Sequence, residues 1–382
     1  MIYLDAASTA KYRNVDDIIV NTITTSMKDS WMNPSSLYAS NVKDKIDKCR
    51  ANIAKFINAK PEEIYFTSGS SEGNSWAIRG WYDANIFMKY LNIITTPIEH
   101  KSTLEAVKSR VLSANVFYCD VDEHGLINCE HLEEMLYRCE EGSVLVSIVM
   151  ANNEIGTVQD IKRIADTVHK YGNVLHVDAT QAFGHIPIDV EKLDVDMMSC
   201  SGHKISPVLR GIGFLYKKNC INIHPLIYGS QENGMRGSTE NTYGIVGLSK
   251  ALEYCDLSIE NVESLTRKRD YFINRLTNEF GCRLNGSSQN RLPNNINVTF
   301  PQNITGESLL YILDISGIKV SVGSACNSKS VEPSHVLKAI GLNDLEAMRT
   351  IRLTLPNDIT YEEIDKTVEE IRKSIKLIEI NL

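Results

Sequence analysis

The chain has 382 residues, is 43% apolar and carries a formal charge of −8; it can bury one large core or two moderate ones, and its acidic balance argues against a surface built to neutralise nucleic-acid phosphates. No long apolar span is present, and the opening MIYLDAASTAKYR lacks the basic-then-apolar order of a signal peptide, so a cytoplasmic chain with no membrane and no direct nucleic-acid partner is expected. The nine cysteines show no C-x-x-C or other short metal-ligand spacing; no metal is expected, and most of them read as small buried hydrophobes.

Taken in order, Val15–Asp29 and Val42–Asn58 read as helices, and Glu62–Thr67 as a strand ending in a glycine turn. SGSSEGN then opens an amphipathic helix at Ser70, Ser71 and Glu72. A helix N-terminus there suits a phosphate, and it equally suits an ordinary serine cap. The strand NIITT, the turn PIEHK and a helix from Ser102 towards Ser113 put His100 in a strand-to-helix connection, where functional side chains are commonly presented. After the strand NVFYCDVD, the run Ser143–Met150 is nearly all apolar, as a strand buried on both faces should be, and delivers Asn152, Asn153 and Glu154 at its carboxyl end. A helix over Ile161–Tyr171 leads to NVLHVDATQ. There Asp178, followed by Gln181, is either a helix cap or the carboxylate partner of a protonated pyridine nitrogen. The apolar strand DMMSC runs into a polar turn presenting Ser201, His203 and Lys204, and GIGFLY, Gly211–Tyr216, returns. This alternation predicts an α/β fold with a mostly parallel sheet and polar residues gathered at strand carboxyl ends.

Beyond Tyr254 the composition changes. A charged helix over Ile259–Phe280, the strand NNINVTF, the helix GESLLYILDIS, the strand IKVSVG, the helix SHVLKAIG, the strand TIRLTL and a helix over Tyr361–Ile378 predict a shorter α+β series. A large domain over 16–255 and a smaller one formed by 1–15 with 256–382 are expected, packed together because no Pro/Gly linker separates them. The smaller one carries Cys326 within GSACNSKSVEPS, which is small, polar and loop-like.

The order LDAAST, NPSS, TSGSSEGN, IEH, NNEIG, HVDATQ, SGHK, QENGMRGSTEN, GSACNS and EPSHVLKAIG, spread from Tyr3 to about Arg352, resembles the cysteine desulfurases. These are fold-type I enzymes of the aminotransferase class V superfamily that use pyridoxal 5'-phosphate (PLP); the likeness is to group I. The resemblance implies PLP as cofactor, L-cysteine as substrate and a homodimer with shared active sites. Lys204 would hold PLP and later move the Cα proton. Asp178 would pair with the pyridinium nitrogen, Gln181 with the ring hydroxyl, and His100 would stack on the ring and assist proton transfer. Ser70, Ser71, Ser201 and His203 would hold the phosphate, completed by Thr239 from the neighbouring subunit. Asn153 and Arg352 would bind the substrate carboxylate, Asn153 also touching the cofactor; the planar fork of arginine suits that task. The thiolate of Cys326 would take the sulfur as a persulfide, leaving L-alanine, and hand it to an acceptor protein. Two alternatives stay open: a related class V lyase or aminotransferase acting on selenocysteine or cysteine sulfinate, and a PLP-poor docking subunit of a sulfur-transfer assembly.

Several positions depart from that pattern. SPVLRG, Ser206–Gly211, replaces the usual YGPKG beside Lys204, and Asn233 stands where an arginine is usual. Tyr38 stands where a histidine follows NPSS, and the phosphate-binding SGT appears as GST over Gly237–Thr239. An altered outer pocket is expected.

Overall fold

A computed structural model describes residues 1–10, 15–88, 90–110, 114–301, 304–322 and 333–380; Cys326 lies outside the described residues. Twelve strands are present among them: β1 (Ile2–Tyr3), β2 (Ile64–Thr67), β3 (Asn92–Thr95), β4 (Asn115–Tyr118), β5 (Val144–Val149), β6 (Val174–Asp178), β7 (Met197–Ser201), β8 (Gly213–Lys217), β9 (Arg283–Leu284), β10 (Asn295–Thr299), β11 (Ile318–Lys319) and β12 (Thr350–Thr354). β2 to β8 form one sheet in the order β2-β8-β7-β6-β5-β3-β4. Its five strands from β7 to β4 are mutually parallel, and β8 runs antiparallel to both β7 and β2. The expected α/β fold with a mostly parallel sheet is therefore present.

Residue chemistry explains the layering. Every residue of β5 is buried, as a parallel strand covered on both faces requires. Helices α1 (Val15–Asp29), α2 (Ser40–Phe56), α3 (Ser70–Ala84) and α4 (Lys101–Lys108) follow. One apolar cluster joins α2, β2 and the inner faces of β5, β6 and β7, with Ile53, Val146, Val177 and Met198 among its fully or nearly fully buried members. Trp76 and Ile78 of α3 belong to a second cluster, with Ile93 and Leu145, on the other face.

A separate apolar cluster gathers Leu4, Phe272, Ile296, Leu309, Leu353 and Ile371. It lies around the three-stranded antiparallel sheet β12-β10-β9 and the helices Ile259–Phe280, Gly306–Ile315 and Tyr361–Ile380. The chain start joins it: β1 pairs in parallel with β11, and Asp5 bridges to Thr354 of β12. No helix among the described residues is long and apolar enough to cross a membrane.

One polar cluster at the base of the sheet has a testable role in stability. His169, near the end of helix Ile161–Lys170, is gripped at Nδ1 by Asp194 (3.0 Å) and at Nε2 by Asp196 (2.8 Å), and Lys218 bonds both carboxylates. The hydrogen bond to Asp196 leads the effects that raise the His169 pKa. A raised folded-state pKa contributes stability that is fully present below the unfolded pKa and is lost as pH rises through the folded one. His169→Gln is thus expected to lower the melting temperature at about pH 5.5 and much less at about pH 9, read by thermal denaturation at both values.

Candidate active site

The functional side chains meet where strand carboxyl ends line up. The registers Val149↔Asp178 and Asp178↔Ser199 put the ends of β5, β6 and β7 level. β3 delivers His100, β5 Asn153, β6 Asp178 and Gln181, and β7 the turn Gly202–Lys204. The start of α3 is pressed against β7 from the side. A Cβ on Gly73 would lie 2.8 Å from Ser199 Oγ, and Gly69, at φ +150°, faces Ser201 Oγ. Glycine at these two positions lets the helix N-terminus carrying Ser70 and Ser71 approach Ser201 closely.

Asp178 is 3% exposed and fully engaged. Its Oδ2 accepts from Asn74 Nδ2 at 2.7 Å, and its Oδ1 accepts from the Thr180 amide at 3.0 Å and from the Thr180 hydroxyl. These donors are neutral, so the carboxylate is fixed in position without being paired to a cation among the described residues. Asn74 also donates to Ser102 Oγ (3.0 Å), which lies 2.7 Å from His100 Nδ1. The Ser102 amide donates to that same nitrogen at 3.1 Å, which makes Nδ1 the acceptor and leaves the proton on Nε2. Burial lowers the His100 pKa, partly offset by Asp178, so His100 is a neutral imidazole near pH 7.

Lys204 Nζ donates to the carbonyls of Ala7 (2.6 Å) and Ser8 (3.0 Å), and Gln181 Nε2 donates to the Ala7 carbonyl at 3.0 Å. The LDAAST segment is thereby folded onto the end of the sheet. Tyr3 holds its far side, donating to Thr9 O at 2.7 Å. His203 pairs with Ser201 Oγ at 2.7 Å, and burial, followed by the charge of Lys204, lowers its pKa to about 4.

Arg352 of β12 is 6% exposed and reaches the same place from the other side. Its Nη1 donates to Asn153 O at 3.0 Å, and its Nη2 to Asp5 Oδ1 at 2.7 Å and Ser8 Oγ at 2.8 Å. Its Nε has no partner among the described residues. The guanidinium fork is thus aimed by one carboxylate and one hydroxyl. Thr239 is exposed, on a loop that Arg236 ties to Glu72 of α3 through two contacts of 2.8 and 3.1 Å. Two buried acids flank the centre. Burial raises the pKa of Glu99 to about 8, and burial also raises that of Glu154.

The site thus contains the expected Lys204, His100, Asp178, Gln181, Asn153, Ser201, His203 and Arg352, with Ser70 and Ser71 at the adjoining helix start. Asn74, Ser102, Thr180, Asp5 and Ser8 complete it and were not anticipated. Asn74 had a signal in the sequence, lying four residues after Ser70 and so on the same face of α3. Of the other cysteines, Cys220 is exposed, whereas burial pushes the thiols of Cys119, Cys255 and Cys282 up to about 12 and that of Cys200 well upward. Brief treatment of the folded protein with iodoacetamide near neutral pH is expected to label Cys220 and spare those four, as peptide mass spectrometry would read.

Known proteins are similar to this chain in sequence and fold. The family model described as aminotransferase class-V matches residues 2–367. A protein named cysteine desulfurase IscS from Dictyoglomus turgidum is 40% identical, the match covering 98% of this chain and 94% of the relative. Another of that name from Methanosarcina thermophila is 39% identical over 98% of this chain and 92% of its own. Among solved structures, a NifS-like protein superimposes with a TM-score of 0.89 at 33% identity, covering 98% of this chain and 99% of that one. A structure titled SspA in complex with cysteine does so with a TM-score of 0.80 at 34% identity, covering 94% and 99%. With a matching family model over almost its full length and its polar groups gathered at the strand ends, the chain belongs to the aminotransferase class-V family.

Proposed function

We propose that this chain is a PLP-dependent cysteine desulfurase that converts L-cysteine to L-alanine, transfers the sulfur to Cys326 as a persulfide and passes it to an acceptor protein. The observation that carries the reading is the convergence of Lys204, Asp178, Gln181 and His100 on adjoining strand ends, in a chain 40% identical to a protein named cysteine desulfurase.

The donor set fits PLP. Lys204 offers an amine, Asp178 an anion held by neutral donors for a pyridinium nitrogen, and Gln181 an amide for the ring hydroxyl. The start of α3 with Ser70 and Ser71, beside Ser201 and a neutral His203, suits a phosphate. When bound, PLP supplies an electron sink for charge developing at the substrate Cα.

The remaining chemistry belongs to the chain. Arg352, pre-aimed by Asp5 and Ser8, takes the substrate carboxylate together with Asn153. The Lys204 amine removes the Cα proton, and His100, protonated at Nε2, serves proton transfer at the reacting atoms. The Cys326 thiolate attacks the substrate sulfur. An S–S bond forms as the Cβ–S bond breaks, and the electron pair left on Cβ is quenched by a proton, so L-alanine leaves. The test is to record the visible spectrum of the purified protein, add L-cysteine, and assay alanine and protein persulfide together. A coloured protein forming both in equal amounts is expected. Turnover of selenocysteine or cysteine sulfinate with little on L-cysteine would overturn the substrate assignment, and a colourless protein that takes up no PLP would overturn the cofactor.

The reading includes a cytoplasmic homodimer, with a large domain over 16–255 and a small one over 1–15 and 256–382. Support for the dimer comes from a crevice lined by Pro34–Leu37 and Ser230–Asn233 and flanked by Leu37, Tyr38 and Tyr228, which are 101%, 75% and 79% exposed. Apolar groups so exposed beside the Thr239 loop suit burial against a second copy. Leu37→Asp is expected to shift the protein towards monomer and weaken PLP retention, measured by light scattering and cofactor content.

A further inference from the structure

Helix His335–Ala339 follows closely on the segment that contains Cys326, and its first turn reaches two different loops of the large sheet. Ser334 Oγ contacts Glu154 Oε2 while capping its own helix, accepting from the amides of Val336 (3.1 Å) and Leu337 (3.3 Å). His335 Nε2 lies 3.0 Å from the Glu99 carbonyl. Glu99 directly precedes His100 and Glu154 directly follows Asn153, so both contacts fall on the loops that build the active site.

The platform beneath is rigid. The Glu154 amide donates to Asn152 Oδ1 at 2.9 Å, and its carbonyl accepts from Asn295 (3.2 Å) and Asn297 (3.1 Å). Ile98 and Ile155, both 0% exposed, pack with Val336, Leu337 and Ile340 in one apolar cluster behind the contacts. On the other side of Cys326, Ser321 exchanges two backbone hydrogen bonds with Arg352, of 2.7 and 3.1 Å.

We propose that Ser334 and His335 are positioning residues for sulfur transfer, clasping one end of the Cys326-bearing segment onto the loops that present His100 and Asn153. The inference rests on the reading of Cys326 as sulfur acceptor. From Ser334 to Cys326 the chain can span at most about 28 Å at roughly 3.5 Å per residue. Releasing the clasp frees Ser334, eight residues after Cys326, from the loops that carry His100 and Asn153, and so lowers the effective concentration of the thiol at the substrate sulfur. The contact to Glu154 is expected to matter more than the cap, because breaking it also leaves a buried carboxyl oxygen without its partner.

The test uses the PLP-loaded full chain in single turnovers with L-cysteine, reading the substrate-induced change in the cofactor spectrum, the persulfide on Cys326 by mass spectrometry, and amide hydrogen exchange in peptides covering 334–342. In Ser334→Ala and Glu154→Leu the spectral change should keep its dependence on L-cysteine concentration, persulfide formation should slow about tenfold, and exchange should accelerate. Ser334→Thr should restore the rate. Glu154→Leu removes the acceptor of the Ser334 hydroxyl and leaves the helix cap intact, so it separates clasp from cap should Ser334→Ala fold poorly. Accelerated exchange with an unchanged persulfide rate would show a purely structural contact and overturn the proposal. Undiminished alanine formation by Cys326→Ser would instead overturn the underlying role of Cys326, and is measured independently of the clasp.

Discussion

Lys204→Ala is expected to abolish L-alanine formation, with a loss on the order of 10⁴-fold or more, since in the proposed function it removes both a covalent anchor and a proton-transfer group. The protein should still fold. Lys204 Nζ bonds the carbonyls of Ala7 and Ser8, but Gln181 continues to donate to Ala7 and Tyr3 to Thr9. The stability cost is therefore about 1 kcal/mol, that of a partly exposed hydrogen bond. The visible band of the cofactor should disappear or become removable by dialysis, whereas the far-ultraviolet dichroism should match the parent protein. An active, coloured Lys204→Ala protein would refute the assignment of Lys204. Lys204→Arg serves as control: it keeps a cation beside the two carbonyls but offers no free amine at pH 7, so the same loss is expected with smaller structural change.

The sequence and the structure agree most closely where periodicity is long and caps are clear. The helices Val15–Asp29 and Ile259–Phe280 have the bounds expected of them; in the second, Ser258 caps one end and Gly281, at φ +64°, closes the other. Agreement weakens where a partner elsewhere in the chain decides. IKVSVG reads as a strand, yet only Ile318 and Lys319 pair as one, because their partner β1 is two residues long and Ser321 then turns to Arg352. NVFYCDVD stops being a strand at Tyr118, where the end of the neighbouring β3 at Thr95 ends the ladder. The helices Cys129–Tyr137 and Thr242–Leu252 escaped notice because each is short and its apolar face is read only against its neighbours.

The same logic separates the legible part of the site from the rest. Lys204, Asp178 and His100 stand in short motifs and can be named from sequence. Some of the residues that hold the site together are near in sequence, as Thr180 is to Asp178 and Ser102 to His100, but others are far away. Asp5 meets Arg352 across 347 residues, and Asn74 meets Asp178 across 104; no local pattern encodes such contacts. The altered stretch after Lys204 turns out to be tied to α1: Ser206 Oγ donates to Asp16 Oδ1 at 2.6 Å and caps the short turn Pro207–Leu209. The SPVLRG stretch is therefore anchored on α1.

Asp178→Asn is the second change expected to have a large effect, lowering the rate of alanine formation on the order of 10³-fold, the scale of losing a preorganised charge next to the reacting system. The substitution keeps shape, so fold and cofactor content should be nearly preserved. Its amide nitrogen would first oppose the Asn74 amide nitrogen, donor against donor. Asn74 Oδ1 is buried and without a partner among the described residues, so a flip of the Asn74 amide restores the hydrogen bond to residue 178 while moving its NH2 into that unpartnered position, at the cost of one unsatisfied buried donor. That flip turns an acceptor towards Ser102, whose hydroxyl can donate either to it or to His100 Nδ1 and not to both. With the carboxylate gone, the influence that raises the His100 pKa is also gone, so the imidazole pKa falls further. The acid limb of the pH–rate profile, where His100 gains its second proton, should move to lower pH, while the limb of any group distant from Asp178 stays in place. Asn74→Leu, which removes the donor and keeps the charge, should reduce activity much less and leave the cofactor band nearly unchanged. Equal losses in the two variants would mean that Asp178 acts through hydrogen bonding alone, and its assignment as the charge partner of the cofactor would fall.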